Sequence, residues 1–534
     1  MSFRAATLGS LIAAVAIWSA NAQVEAGGLD AIDPWGFNYL AEGEAALPET
    51  FWAASNAEDL LPLMRRARTR NLTPAERILL RRVILSPSTP PGGDQDDDLL
   101  AERARLMFEI GEAAAAARFM PALSKSPTGL VAEEVAVDLQ LALGQHATAC
   151  ANTEGEPKEG AFWAKLRAVC FVLQDNTPGA ELAVELAIAE GVDDPWFFNA
   201  IFAASGDAPG KPPAKFDSGL ALALSSKAEL TPPINAIASS RADLAAAMAS
   251  RETLPPDLRV LAAGVAAESG LLDAEAHRAT YKALLELDAF DPRTPLEFAL
   301  QTNWTEDSDL STRARTLREA LTSARGNVAR YAAVARLLQP DVNALPQTKE
   351  TVRYALDFAK ASLAAGDIEA ASRWTAPASF EDIPAPDAFE AAWLDGLILI
   401  ASTSDKGSDL ETVVNRLFAS GGGRQRDAAS ARLFALWSAF DLPLTPAVRT
   451  KLASAPQEEK TALSPLLIRS IHSAAEADAA GEVFLRTLQA TSGDPYALRA
   501  GDLAQLIDAL RSMGAEDVSR TLALEASGYW RAQL

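Results

Sequence analysis

Apolar positions along the chain recur at helical spacing. In TVRYALDFAKASLAAGDIEAASRWTAPA an amphipathic stretch from Thr351 to Ala364 meets Gly366-Asp367 and restarts with Ile368, Ala370, Ala371 and Trp374, the periodicity of one buried helix face. Glycine at the break closes the first helix by taking the left-handed conformation, and Asp367 stands where a side chain caps the second. The pattern predicts a helical hairpin. The same order recurs at Ile110-Gly111 before EAAAAARFMPAL, Leu143-Gly144 before QHATACA, Ser269-Gly270 before LLDAEAHRATYKALLEL and Met513-Gly514 before AEDVSRTLALEA. Alanines after each turn let two helices approach closely, while Leu, Phe and Trp fill the space between pairs.

Neighbouring hairpins lie roughly 30 to 40 residues apart, the range of tetratricopeptide-like arrays, although the full consensus of that repeat is met nowhere. The expected fold is all-α: an α-solenoid of degenerate helical hairpins, a TPR-like superhelix. In NLTPAERILLRRVIL, Thr73 occupies the N-cap, Pro74 the first helical position and Glu76 the capping-box position, so a helix begins there. Three proline-containing breaks, SPSTPPGGDQDDD at 86–98, GDAPGKPPAKFD at 206–217 and APASFEDIPAPDAF at 376–389, lose apolar periodicity. They divide the chain into an N-terminal segment 23–93, a helical-repeat region 94–205, a second at 217–375 and a C-terminal one at 389–534. Each break reads equally as a linker or as a long inter-repeat loop.

The beginning of the chain has a different pattern. Arg4 precedes an apolar run from Leu8 to Trp18, followed by Ala20-Asn21-Ala22 before Gln23. This is the plan of a secretory signal over 1–22, with cleavage expected after Ala22 and a periplasmic address for the mature chain. A retained, uncleaved anchor is the other reading. The run is too short to span a bilayer, and no later stretch proposes a membrane span.

Composition adds less. The formal charge of −23 disfavours nucleic acid and anionic lipid as partners. At 534 residues one compact core is not expected, because single cores stop growing near about 250 to 300 residues.

The search for chemistry finds no concentrated constellation. The triple glycine in SGGGRQR at 420–426 lacks the Lys-Ser or Lys-Thr that a phosphate loop needs, and neither G-x-S-x-G nor S-x-x-K occurs. The three histidines, His146, His277 and His472, are far apart in sequence, which argues against a histidine-built zinc site. Glu268-Ser269 has the dipeptide with which a lysozyme-like transglycosylase domain begins, but GLLDAEAH follows it, so a solvated Glu before a C-capping glycine is the better reading. Asp96, Asp97 and Asp98 lack the spacing of a calcium loop and read as negative charge at a helix start. No cofactor is called for.

Two aromatic clusters are candidate partner contacts: Trp35, Phe37 and Tyr39 in IDPWGFNYL, and Trp196, Phe197, Phe198 and Phe202 in DDPWFFNAIF. Aromatics in helical arrays more often fill the core, but the concave face of such an array is where extended partners bind. The two cysteines, Cys150 and Cys170, lie on consecutive helices joined by NTEGEPKEG. Antiparallel helices bring facing residues to disulfide distance, and an exported chain meets oxidising conditions. A disulfide is therefore expected, ahead of a reactive thiol paired with His146 or a zinc site short of ligands.

The leader, the Thr-Pro-Ala-Glu-Arg helix, LLAERARLMFEIGEAAAAARFM, ESGLLDAEAHRATYKAL and LIDALRSMGAEDVSRTLALEA together resemble exported, Ala-rich, tetratricopeptide-like helical-repeat proteins of Gram-negative bacteria. The resemblance implies a periplasmic address and supplies no reaction. The function expected is a non-enzymatic periplasmic scaffold that presents a surface to another envelope protein. The alternative is an envelope glycan-processing enzyme, or a peptidoglycan-binding protein with a helical superhelix.

Overall fold

Each predicted hairpin break is a turn between two helices. The Ala355–Ala365 helix ends on Gly366, whose φ of 83° is open to glycine at no steric cost. Asp367 accepts the Ala370 N–H at 2.9 Å and so caps the Ile368–Thr375 helix. The same carboxylate accepts Gln339 Nε2 at 3.0 Å and Asn343 Nδ2 at 2.9 Å, which ties the hairpin to the preceding Val328–Asn343 helix. Gly111, Gly144, Gly270 and Gly514 also have positive φ. At the Pro74–Leu85 helix the capping box is complete: Thr73 Oγ1 accepts the Glu76 N–H at 3.3 Å and Glu76 Oε2 accepts the Thr73 N–H at 2.9 Å.

The structure, a computed structural model, describes residues 33–531 apart from 207–209, 234, 288–289, 306, 403–406, 421 and 456–458, with backbone only at 407–409. The signal sequence expected at 1–22 and its cleavage after Ala22 lie outside the described residues. Among the described residues there are twenty-six α-helices and no strand, only two isolated bridges, so the fold is all-α as expected. No described helix is long and apolar enough to cross a membrane.

The described residues from Pro34 onward form one compact unit with two main hydrophobic cores. One gathers side chains from Trp35 to Val135 and again from Val260 to Trp530; the other is built from Val137 to Ala263. The first core depends on contacts that stacking of neighbouring hairpins does not predict. Trp52 lies flat on Gly481, where an added Cβ would come within 2.1 Å of the indole ring, and the Gly481 N–H donates to Phe51 O at 2.9 Å. Glu76 Oε1 accepts Thr491 Oγ1 at 2.5 Å and the Gly493 N–H at 2.7 Å. The Ala75 N–H donates to Glu525 Oε1 at 2.8 Å, and Arg82 pairs with Asp517. The exposed amides at the start of one early helix are thus satisfied by carboxylates, one of its own and one from the last helix, Glu516–Ser527.

The expected disulfide is present. Cys150, in the His146–Ala151 helix, is bonded to Cys170, in the Ala161–Leu173 helix, with Cα atoms 5.5 Å apart. Both sulfurs sit within the second core.

Candidate functional site

The Pro195–Ser205 helix opens with Asp194 as its cap: Asp194 Oδ1 accepts the Phe197 N–H at 3.1 Å, and Pro195 fills the first position. This start fixes the register of the aromatics that follow. Phe197 turns inward with Ala200 and Ile201 and is fully buried, while Trp196 is left half-buried at the surface. The Trp196 indole is not loose. Its Nε1–H donates to Pro213 O at 2.7 Å, and Lys215 Nζ lies 4.8 Å over the ring, a cation held against the face where the aromatic quadrupole is negative.

Trp196 and Phe197 form one side of a cleft of about 460 Å³. Phe162 and Lys165, from the Ala161–Leu173 helix, form another side. Lys165 pairs with Asp194 at 2.7 Å. Burial works to raise the Asp194 carboxyl, but the Lys165 ammonium and the Phe197 N–H outweigh it and hold the group below its ordinary value. The floor is Asp138, whose two oxygens each accept at 2.9 Å from the Gly219 and Leu220 N–H groups at the start of the Gly219–Lys227 helix. Gly219 is required here because a Cβ would collide with Asp138 O at 1.7 Å. Burial pushes the Asp138 carboxyl up from its ordinary value, against these two N–H groups and Arg241. Lys215 has no carboxylate within ion-pair distance among the described residues, and its charge helps to lower the Asp194 carboxyl.

Of the seven aromatics singled out in the sequence, Trp196 and Phe197 line this cleft; Phe198 and Phe202 pack, partly buried, against the same core. Trp35, Phe37 and Tyr39 belong elsewhere. Trp35 is 5% exposed, and its carbonyl accepts the Ser88 N–H at 2.9 Å. Arg103 lies over its ring, and Tyr39 packs edge-on to Phe119 at 5.8 Å. Trp35 and Phe197 are buried and fill space between helices, and Phe197 reaches the cleft only as part of its wall.

The sequence reading missed Phe162, Lys165, Lys215, Asp138 and Asp217. Phe162 lies in the cysteine-bearing segment, and Lys215 and Asp217 in a proline-containing break without apolar periodicity. No local signal announces that Asp138, 81 positions before Gly219, caps its helix.

The remaining sequence candidates have structural partners. Glu268 ends the Pro256–Glu268 helix and bonds Arg330 at 2.8 Å. Asp96, Asp97 and Asp98 form the first turn of the Asp96–Glu109 helix, and Asp98 pairs with Lys125. His146 Nε2 lies 3.3 Å from Arg251 Nη2, and burial together with the Arg251 charge holds the imidazole below its usual range. The bond between Cys150 and Cys170 leaves no thiol for it to activate. Among the described residues no group of three or more His, Cys, Asp or Glu side chains is placed to hold a metal ion.

No protein-family model, curated protein or solved structure matches the chain.

Proposed function

We propose that this chain is a non-enzymatic helical-repeat scaffold of the periplasm that holds an extended segment of an envelope protein in the cleft beside Trp196. The observation that carries this reading is the pinned indole. A flat, half-buried ring held by Pro213 and flanked by Lys215 and Asp194 is a binding surface ordered in advance, and such surfaces lose little side-chain freedom on binding. Large aromatic anchors supply much of the energy of protein recognition. Lys215 favours a partner segment carrying an acidic side chain near an apolar one. The disulfide supports an exported address, since such bonds persist in oxidising compartments. The role calls for no cofactor.

An aromatic ring beside carboxylates also suits a saccharide, and Asp194 and Asp217 on the cleft wall favour that second reading, a glycan-binding or glycan-processing role. One comparison separates the two. Wild-type chain and Trp196→Ala are each incubated with isolated cell-wall sacculi and, separately, immobilised and exposed to periplasmic extract. The scaffold reading expects a discrete protein partner retained by wild type and lost by Trp196→Ala, with the far-ultraviolet circular dichroism of the two chains alike. Co-sedimentation with sacculi that depends on Trp196, or release of muropeptides, would replace it with the glycan reading.

A further inference from the structure

A second cleft, of about 370 Å³, lies where five stretches of chain converge: residues 69–77, 109–110, 238–242, the end of the Pro256–Glu268 helix with Ser269, and the start of the Val328–Asn343 helix. It is rich in guanidinium groups although the chain as a whole carries −23. Four arginines line it, Arg70, Arg77, Arg241 and Arg330, against two carboxylates, Glu109 and Glu268.

The pairing around the cleft is uneven. Glu109 bonds Arg105 at 2.6 Å and Thr69 at 3.1 Å, and Glu268 is taken by Arg330. Arg241 is held in a two-point fork by Asp243, both bonds at 2.8 Å. That leaves Arg70 and Arg77. Arg70 is exposed and has no hydrogen bond or ion pair among the described residues. Arg77 reaches across the turn glycine Gly270, its Nη1–H makes one long contact to Ile110 O at 3.4 Å, and its buried Nε–H has no acceptor among the described residues. Burial, with the Arg81 charge nearby, lowers the Arg77 guanidinium to about 10, against a small opposing effect of Glu112. A partly buried cation with an unfilled donor is costly unless something pairs with it. The planar fork of a guanidinium matches a carboxylate or phosphoryl group.

We propose that this cleft binds a small oxyanion, a carboxylate or phosphoryl group, through the free donors of Arg77 and Arg70. Asn71 and Ser269, also on the wall, face the rest of such a ligand, which points to a molecule rich in hydroxyl groups rather than an apolar acid. The cleft is separate from the Trp196 groove, and its occupancy does not depend on the scaffold reading. Because its walls come from five stretches of one fold, the ligand binds only the folded chain and raises its melting temperature.

Isothermal titration calorimetry on the full chain tests this, with inorganic phosphate and glucuronate as the two oxyanions and glucose as a neutral control. At least one oxyanion is expected to bind at millimolar concentration or below while glucose does not, and the pair of titrations identifies which group is preferred. Arg70→Ala, an exposed change that leaves packing untouched, and Arg77→Gln are each expected to weaken binding by about tenfold or more. Arg77→Gln without ligand is expected to melt no lower than wild type, since it removes a partly buried charge that no carboxylate pairs with among the described residues. Failure of both oxyanions to bind, equal binding of glucose, or unchanged affinity in both variants overturns the proposal.

Discussion

Lys360 and Glu390 form an ion pair at 1% and 2% exposure, joining the Ala355–Ala365 and Ala388–Ala401 helices. Removing one member strands the other in the core, so Lys360→Met is expected to cost about 3–5 kcal/mol in urea unfolding, with most of that recovered in Lys360→Met combined with Glu390→Leu. Glu525 and His277 act through pH. Glu525 is buried, its Oε2 has no hydrogen-bond partner among the described residues, and burial together with the neighbouring Glu76 pushes its carboxyl from 4.5 to about 8, against the Thr73 and Ala75 bonds. Its contribution to stability is complete below the unfolded value and is lost as pH rises through the folded one, at a slope approaching about 1.4 kcal/mol per pH unit inside the window. His277 has the opposite sign. Burial, with Arg336, lowers its imidazole from 6.5 to about 4, so its contribution is present above 6.5 and lost as pH falls through about 4. Thermal melts across this range are expected to show Glu525→Gln removing the alkaline decline and His277→Leu the acid one; parallel profiles in variant and wild type would refute either assignment. The capping role of Glu76 was legible because Thr73 is three residues away. Its bond to Thr491 was not, because no local pattern encodes a contact across 415 positions.

Element by element, the sequence was most readable where the physics is local. Gly366 and Asp367 announced a hairpin because a left-handed residue and a cap are properties of a few consecutive residues. The cysteine pair was legible for the same reason, since the two helices it joins are consecutive. Replacing both Cys150 and Cys170 by Ser is expected to lower unfolding free energy by about 3 kcal/mol while leaving the helical circular dichroism in place. An equal denaturant midpoint in the two chains would show that the bond contributes nothing. The Trp196 cleft was half legible. Aromatic clustering marked Trp196 and Phe197, but periodicity did not say which of them would be buried, and Phe162, Asp138 and Lys215 come from elements whose proximity is tertiary.

Over the whole molecule, Ala-rich periodicity foretold an all-α chain; length argued against a single core, and the described residues from Pro34 onward gather into one compact unit with two main cores. Neither length nor periodicity foretold that early helices would pack against the last ones, because a repeat pattern specifies each unit's neighbours and not where the ends arrive. Gly481 is the sharpest probe of that junction. Gly481→Ala places a methyl group into the Trp52 ring and is expected to cost about 1–3 kcal/mol, measured by denaturant unfolding, although alanine is the better helix former. A stabilised variant would contradict the packing of Trp52 on that helix.

The central claim, that the cleft beside Trp196 receives a protein partner, is tested most directly by photo-crosslinking in cells. A photoreactive phenylalanine analogue is placed at Phe162, on the cleft wall, and at Leu466, an apolar position 81% exposed and not among the cleft residues. The account predicts a discrete crosslinked protein from position 162 that is absent from position 466 and disappears when Trp196 is changed to Ala. No adduct at 162, or the same adducts from both positions, would contradict it.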